Sequence, residues 1–134
     1  MSEKTSDKIT CHVLDTGTGQ PARGIRVKLE GGFHPLKTFE SQTDDDGRIK
    51  IWLPYSEAHS SGEVPVYTLD DVLGDVEDGK PARWTLRFDT AGYFGEQNTF
   101  FPEVSVAFTM KDKGQKYHVP LLLSPYSYTT YRGS

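Results

Sequence analysis

Cysteine is scarce in this chain: among 134 residues only Cys11 carries a thiol. One thiol cannot close an internal disulfide, so a small framework stapled by bridges is excluded, and a reducing compartment is the expectation. An excess of positive charge is also missing. The 15 Lys and Arg stand against 19 Asp and Glu, a net charge of -4 with no basic stripe. Without cations to displace counterions, DNA and RNA are not expected partners. No apolar run approaches the roughly 20 residues of a spanning helix. The opening Met1 to Lys8 has no apolar stretch of the secretory kind, and a soluble, intracellular chain is expected. Internal repeats and low-complexity tracts are absent, and the length suits one domain with one core.

What the chain does have is alternation of period two. Ile25, Val27 and Leu29 alternate with Arg26, Lys28 and Glu30; Trp84, Leu86 and Phe88 with Thr85, Arg87 and Asp89; Val104, Val106, Phe108 and Met110 with Ser105, Ala107 and Thr109. Each reads as a half-buried strand. Residues 9–15, 36–42, 48–53, 117–123 and 126–132 bring the predicted strands to eight, with turns at Thr16-Gly17-Thr18-Gly19, Gly31-Gly32, Asp46-Gly47 and Ser124-Pro125. Many short strands with polar turns predict an all-β sandwich or barrel. One short helix is expected over Ala91 to Gln97, capped by Asp89 or Thr90, with two glycines limiting its length. Residues 1–8 read as a flexible lead-in and 9–134 as the domain. The acidic stretch of about 55–82 reads as a long loop holding at most one helical turn.

Alternation also assigns faces. With Ile9, Cys11 and Val13 directed to the core, His12 shares the opposite face with Thr10 and Leu14. If Ile49, Ile51 and Leu53 take the core, Arg48 points away with Lys50; if Tyr117, Val119, Leu121 and Leu123 do, His118 points away with Pro120. Behind the last strand, Tyr131-Arg132-Gly133-Ser134 offers an aromatic, a guanidinium and a hydroxyl attached directly to a strand, which reads as a placed tail.

These residues resemble a known family. Thr10-Cys11-His12-Val13-Leu14-Asp15, Gly19-Gln20-Pro21-Ala22, the turn Thr43 to Arg48, Phe101-Pro102-Glu103-Val104 and the run Tyr117 to Thr130 leading into Tyr131-Arg132-Gly133-Ser134 are similar to the 5-hydroxyisourate hydrolases, enzymatic relatives of transthyretin. The likeness spans Lys8 to Ser134, with the 55–82 region longer than is typical. It implies a transthyretin-like two-sheet β-sandwich in which the first, fourth, seventh and eighth predicted strands share a sheet. It further implies a homotetramer with two-fold symmetry whose sites lie at subunit interfaces. The implied reaction, a step of urate degradation, opens 5-hydroxyisourate to 2-oxo-4-hydroxy-4-carboxy-5-ureidoimidazoline. His118 would act as general base assisted by His12, and Arg48 would bind substrate carbonyls and the developing oxyanion. Ser134 would hold a ring group or orient a histidine, while Tyr131 and Arg132 would line the cavity.

Each residue also has an ordinary structural reading. A single histidine on a sheet's outer face is usually solvated, and Arg48 after Asp46-Gly47 would close a turn beside Asp44 or Asp45. Cys11 falls on the apolar set and is read as core packing. His34 and His59 sit in predicted loops without a partnering motif. Two imidazoles without a third ligand do not make a zinc site, and Asp44-Asp45-Asp46-Gly47 lacks the rest of a calcium loop. No metal and no cofactor is expected. The alternative function is a transthyretin-like carrier of a small aromatic ligand without chemistry, and a sandwich module for protein contacts is a third. Cytoplasm is the default location; a peroxisomal one stays open, although Arg-Gly-Ser is not the Ser-Lys-Leu address.

Overall fold

The computed structural model describes residues 5–32, 36–55 and 67–134. His34, His59 and the first part of the 55–82 stretch therefore lie outside the described residues. Alternation of apolar and polar residues underlies the longer of ten strands there: β1 (Ile9–Asp15), β2 (Gln20–Pro21), β3 (Arg26–Gly31), β4 (Lys37–Gln42), β5 (Arg48–Ile49), β6 (Leu53–Pro54), β7 (Ala82–Phe88), β8 (Val104–Met110), β9 (Tyr117–Ser124) and β10 (Ser127–Thr130). They form two sheets. In the first the order is β10-β9-β1-β2, with β5 also paired to β1; in the second it is β6-β4-β3-β7-β8. The expected all-β two-sheet sandwich is thus present, and β1, β9, β10 and the start of the expected 48–53 strand share a sheet. No helix among the described residues is long and apolar enough to cross a membrane.

The core lies between the sheets. Ile9, Cys11, Val13, Leu121 and Leu123 from the first meet Val27, Leu29, Phe39, Trp84, Leu86 and Phe88 from the second, all essentially inaccessible. Removing this apolar surface from water stabilises the fold by about 25 cal/mol per Å² buried. The even-numbered residues of β1 and β9 are left on the outer face of the first sheet.

The expected strand over 48–53 is corrected. Ile49 is buried, but Ile51 is 46% and Leu53 63% exposed, while Trp52 is only 3% exposed. The chain changes sheets here. β5 pairs with β1 in the first sheet and β6 with β4 in the second, so period-two alternation breaks in the crossing. The Trp52 ring enters the core and its Nε1–H donates to the Ile9 carbonyl at 2.8 Å. Its backbone N–H donates to the Asp7 carboxylate at 2.8 Å. Asp7 lies in the stretch read as a flexible lead-in, yet it is 3% exposed, and its N–H donates to the Lys50 carbonyl.

Two short helices occur where one was expected. α1 (Leu69–Gly74) falls within the 55–82 stretch and starts at a reciprocal capping box between Thr68 and Asp71. It buries Leu69, Val72 and Leu73. α2 (Thr90–Phe94) begins at Asp89, whose carboxylate accepts from the Gly92 N–H. A 3-10 turn over Glu96–Asn98 follows. Tyr93 of α2 donates its hydroxyl hydrogen to Asp15 at the end of β1 (2.8 Å), tying the helix to the first sheet. Burial and the Asp15 carboxylate push the Tyr93 phenol up to about 12.

Gly47 sets the entry to β5. Its φ is 74°, and a Cβ there would lie 2.4 Å from the Val13 carbonyl oxygen, a backbone atom that cannot swing aside. Gly47→Ala is expected to destabilise the fold by about 1–3 kcal/mol, read from urea unfolding. A change within 0.5 kcal/mol, about the scatter of a surface substitution, would contradict this account of the turn.

Candidate active site

The first sheet gathers the site by register. Thr10 of β1 lies directly opposite His118 of the parallel strand β9, and His12 opposite Pro120. On its other edge β1 pairs His12 with Arg48 of β5. His12, Arg48 and His118 therefore occupy adjacent positions on three neighbouring strands, all half-buried on the outer face. The two imidazole centroids are 6.5 Å apart, with ring planes inclined by 30°. Thr10 Oγ1 and His118 Nδ1 are hydrogen-bonded at 2.8 Å.

The tight turn before β5 delivers Arg48. Asp44 Oδ1 accepts from the N–H groups of Asp46 and Arg48, both at 2.9 Å. That occupies the carboxylate oxygen with backbone, and Asp45 faces Arg23 instead, at 3.7 Å. Among the described residues no carboxylate pairs with the Arg48 guanidinium. Its fork of donors is directed at the outer face, where the ordinary turn-closing reading would have tied it to an acid.

The tail returns to the same place. The Gly133 N–H donates to the His118 carbonyl at 2.8 Å, and the two residues bridge in antiparallel fashion. Only a residue without a side chain fits: a Cβ at 133 would lie 2.7 Å from His118 Cδ2 and 2.9 Å from Pro120 Cγ. Ser134 thereby joins Arg48, His118 and Thr10 around a hollow of about 220 Å³ that Ser6, Asp7 and Lys116 complete. An adjoining hollow of about 260 Å³ shares Ser6, Thr10, Arg48 and His118 and adds Lys50.

Two expected lining residues are placed elsewhere. The Arg132 guanidinium stacks over the Tyr117 ring at 4.6 Å and reaches Gln115. Tyr131 is 56% exposed, and neither residue lines the hollows. Conversely, Thr10, Ser6 and Lys116 were not singled out from sequence. Thr10 shares the His12 face by alternation, but its contact with His118 depends on a strand register that one sequence does not display. A larger hollow, about 890 Å³, lies on the outer face of the second sheet among Arg26, Lys28, Glu40 and Arg87. It contains no imidazole. Its charged side chains stand on the solvated face of the sheet, so size alone does not mark the site.

The electrostatics are one-sided. Arg48, Lys50 and Lys116 surround the hollows, while the Asp7 carboxylate beside them accepts from the Trp52 N–H. His118 titrates below its ordinary value of 6.5, first because burial disfavours the charged ring and then because Arg48 and His12 add positive charge nearby. A neutral imidazole at neutral pH can accept a proton, and the unpaired guanidinium can bind a planar, oxygen-rich group through two parallel hydrogen bonds.

Comparison with known proteins adds an independent finding. The model of the HIUase/Transthyretin family matches residues 9–133. A mouse (Mus musculus) 5-hydroxyisourate hydrolase is 39% identical over 96% of this chain and 97% of its own length. A Salmonella typhi 5-hydroxyisourate hydrolase is 38% identical over 96% of this chain and 82% of its own. The solved structure of Klebsiella pneumoniae 5-hydroxyisourate hydrolase superposes with a TM-score of 0.63 at 26% identity, covering 94% of this chain and 98% of that one.

Depression of the His118 pKa has a sign that can be measured. The unfolded ring binds a proton more readily than the folded one, so folding stability is expected to fall as pH drops below 6.5 towards the folded value, and to be independent of this group above it. In an NMR titration the His118 midpoint lies below 6.5, and Arg48→Gln raises it. A midpoint unmoved by that substitution would mean that the guanidinium is not beside the ring.

Proposed function

The chain belongs to the HIUase/Transthyretin family, and from that premise we propose that it hydrolyses 5-hydroxyisourate, a product of urate oxidation, to 2-oxo-4-hydroxy-4-carboxy-5-ureidoimidazoline. The reading rests on one observation: Arg48, His118 and Ser134 border a single hollow, with the His12 ring centred 6.5 Å from that of His118. These are the residues that opening a cyclic amide requires. Arg48 grips the substrate carbonyls in the ring plane. His118 takes a proton from water as the water oxygen bonds to the ring carbonyl carbon, and the resulting oxyanion is held by Arg48. Collapse then breaks the carbon–nitrogen bond. The leaving ring nitrogen recovers the proton from the imidazolium, and the freed acid ionises. General base action of this kind contributes about 10²–10⁴-fold, and His12 assists by orienting the water or the ring. The Ser134 hydroxyl holds a ring substituent.

Tyr131 and Arg132 have a different part in this proposal. With Arg132 stacked on Tyr117, they anchor the strand end so that Gly133 and Ser134 reach the hollow. The proposal includes a homotetramer with two-fold symmetry in which outer faces of this sheet are apposed. Half-buried Leu14 and Leu122 on that face, and exposed Phe100, Tyr126 and Tyr131 around it, give such an interface apolar area.

The direct test follows the ultraviolet decay of freshly generated 5-hydroxyisourate. The wild-type chain accelerates it, and Arg48→Ala or His118→Asn lowers kcat/KM by at least about 10²-fold. Retention of an aromatic ligand without acceleration would replace the hydrolase reading by the carrier. The rate falls as pH drops through the lowered His118 value, on the acid side of 6.5, because the protonated ring loses its capacity as base. Gly133→Ala, by pushing the tail off His118 and Pro120, is expected to cut turnover tenfold or more (about 1.4 kcal/mol) while the thermal midpoint stays nearly constant. Equal loss of both would mean that the tail serves folding.

A further inference from the structure

We propose that Thr10 is a positioning residue for the reaction: its hydroxyl oxygen accepts a hydrogen bond from His118 Nδ1–H and so leaves Nε2 as the bare nitrogen that faces the hollow. This rests on the hydrolase reading above but concerns a residue outside the catalytic set. The first observation is geometric. Thr10 Oγ1 is 2.8 Å from His118 Nδ1, and the two residues are direct partners across the parallel β1–β9 pair. A β-branched side chain in a strand has few χ1 states, so the oxygen is held against the ring instead of sweeping past it.

The second observation decides the direction of the bond. Three cations lie among the groups that border the hollows beside the ring. Arg48 and Lys50 come from β5 and the residue after it, and Lys116 from the residue before β9; none has an acceptor to offer. His12 adds a second imidazole at 6.5 Å. The Asp7 carboxylate, which also borders the hollow, accepts from the Trp52 N–H through one oxygen. The Ser134 and Ser6 hydroxyls are exposed or half-buried and free to donate or accept. A proton on Nε2 would face the three cations and oblige Nδ1 to accept from the Thr10 hydroxyl, whereas a proton on Nδ1 meets the Thr10 oxygen and leaves Nε2 to accept. The neutral ring is therefore held as its Nδ1–H tautomer.

The consequence for the reaction is direct. Nε2 receives the proton as the water oxygen bonds to the substrate carbonyl carbon, and returns it to the ring nitrogen when the carbon–nitrogen bond breaks. Through both steps Nδ1 keeps its proton, and its bond to Thr10 strengthens while the ring is cationic. Thr10 touches neither water nor substrate in this account; it acts through His118.

Three variants and one spectroscopic measurement test this. Thr10→Val retains shape and strand propensity but has no oxygen, and kcat/KM is expected to fall about 10- to 100-fold, the worth of one hydrogen bond to a charged group. Thr10→Ser restores most of it, and Thr10→Ala matches valine should the valine variant not fold. The ¹⁵N spectrum of neutral His118 in the wild-type chain shows a protonated Nδ1 and a bare Nε2, and this preference weakens in Thr10→Val. Wild-type kcat/KM in a folded Thr10→Val, or a protonated Nε2 in the neutral wild-type ring, would overturn the assignment. If the wild-type chain does not accelerate substrate decay, the hydrolase reading falls by itself, and the spectrum still decides what Thr10 does to the ring.

Discussion

The parallel pairing of β1 with β9 is the constraint on which the rest of this molecule depends. It runs in unbroken register from Ile9 opposite Tyr117 to Asp15 opposite Leu123. Parallel neighbours cannot be joined by a hairpin and are brought together only by the whole intervening chain. Here that chain is nearly the entire domain, so Thr10 meets His118 only when both sheets have formed. The site is thus a product of complete folding and not of any local motif. The edge pairing with β5 adds Arg48 to the same row, and the tail adds Ser134 by lying against the strand that carries His118.

Placing cationic groups together has an electrostatic cost that burial on one side increases. Arg48 and His12 both disfavour a charged His118, as does the partial removal of its ring from water. A structural site would normally relieve this with a carboxylate, and Asp44 and Asp7 are both near. Each is instead engaged by backbone N–H groups, Asp44 in the turn and Asp7 at Trp52. The acids thus maintain the shape of the segment that bears the guanidinium, and neither forms an ion pair with it. Such an arrangement suits an electron-rich planar ligand.

Much of this was legible in the chain. Period-two alternation in residues 9–15 and 117–123 fixed both the strands and the faces of His12 and His118, because one side of each strand had to be apolar. The cap at Asp89 was readable for the same local reason. Residues 50–53 misled, since alternation holds only while a strand stays in one sheet, and here the chain crosses to the other with Trp52 turned inward. Asp7 and Thr10 were opaque for a different reason. Their roles come from partners 45 and 108 residues away, and no local pattern encodes such pairings. Arg132 kept its position beside the tail but found an aromatic ring, an attraction between side chains that sequence order does not reveal.

Cys11 sits under this arrangement, fully buried between Thr10 and His12, with burial pushing its thiol up to about 12. In the closed molecule it is chemically silent. It becomes reactive only when β1 parts from its neighbours, so the speed at which a small thiol reagent labels it reports how often the sheet beneath the histidines breathes. The single sulfhydryl is a built-in clock for that opening, set in the strand that carries His12.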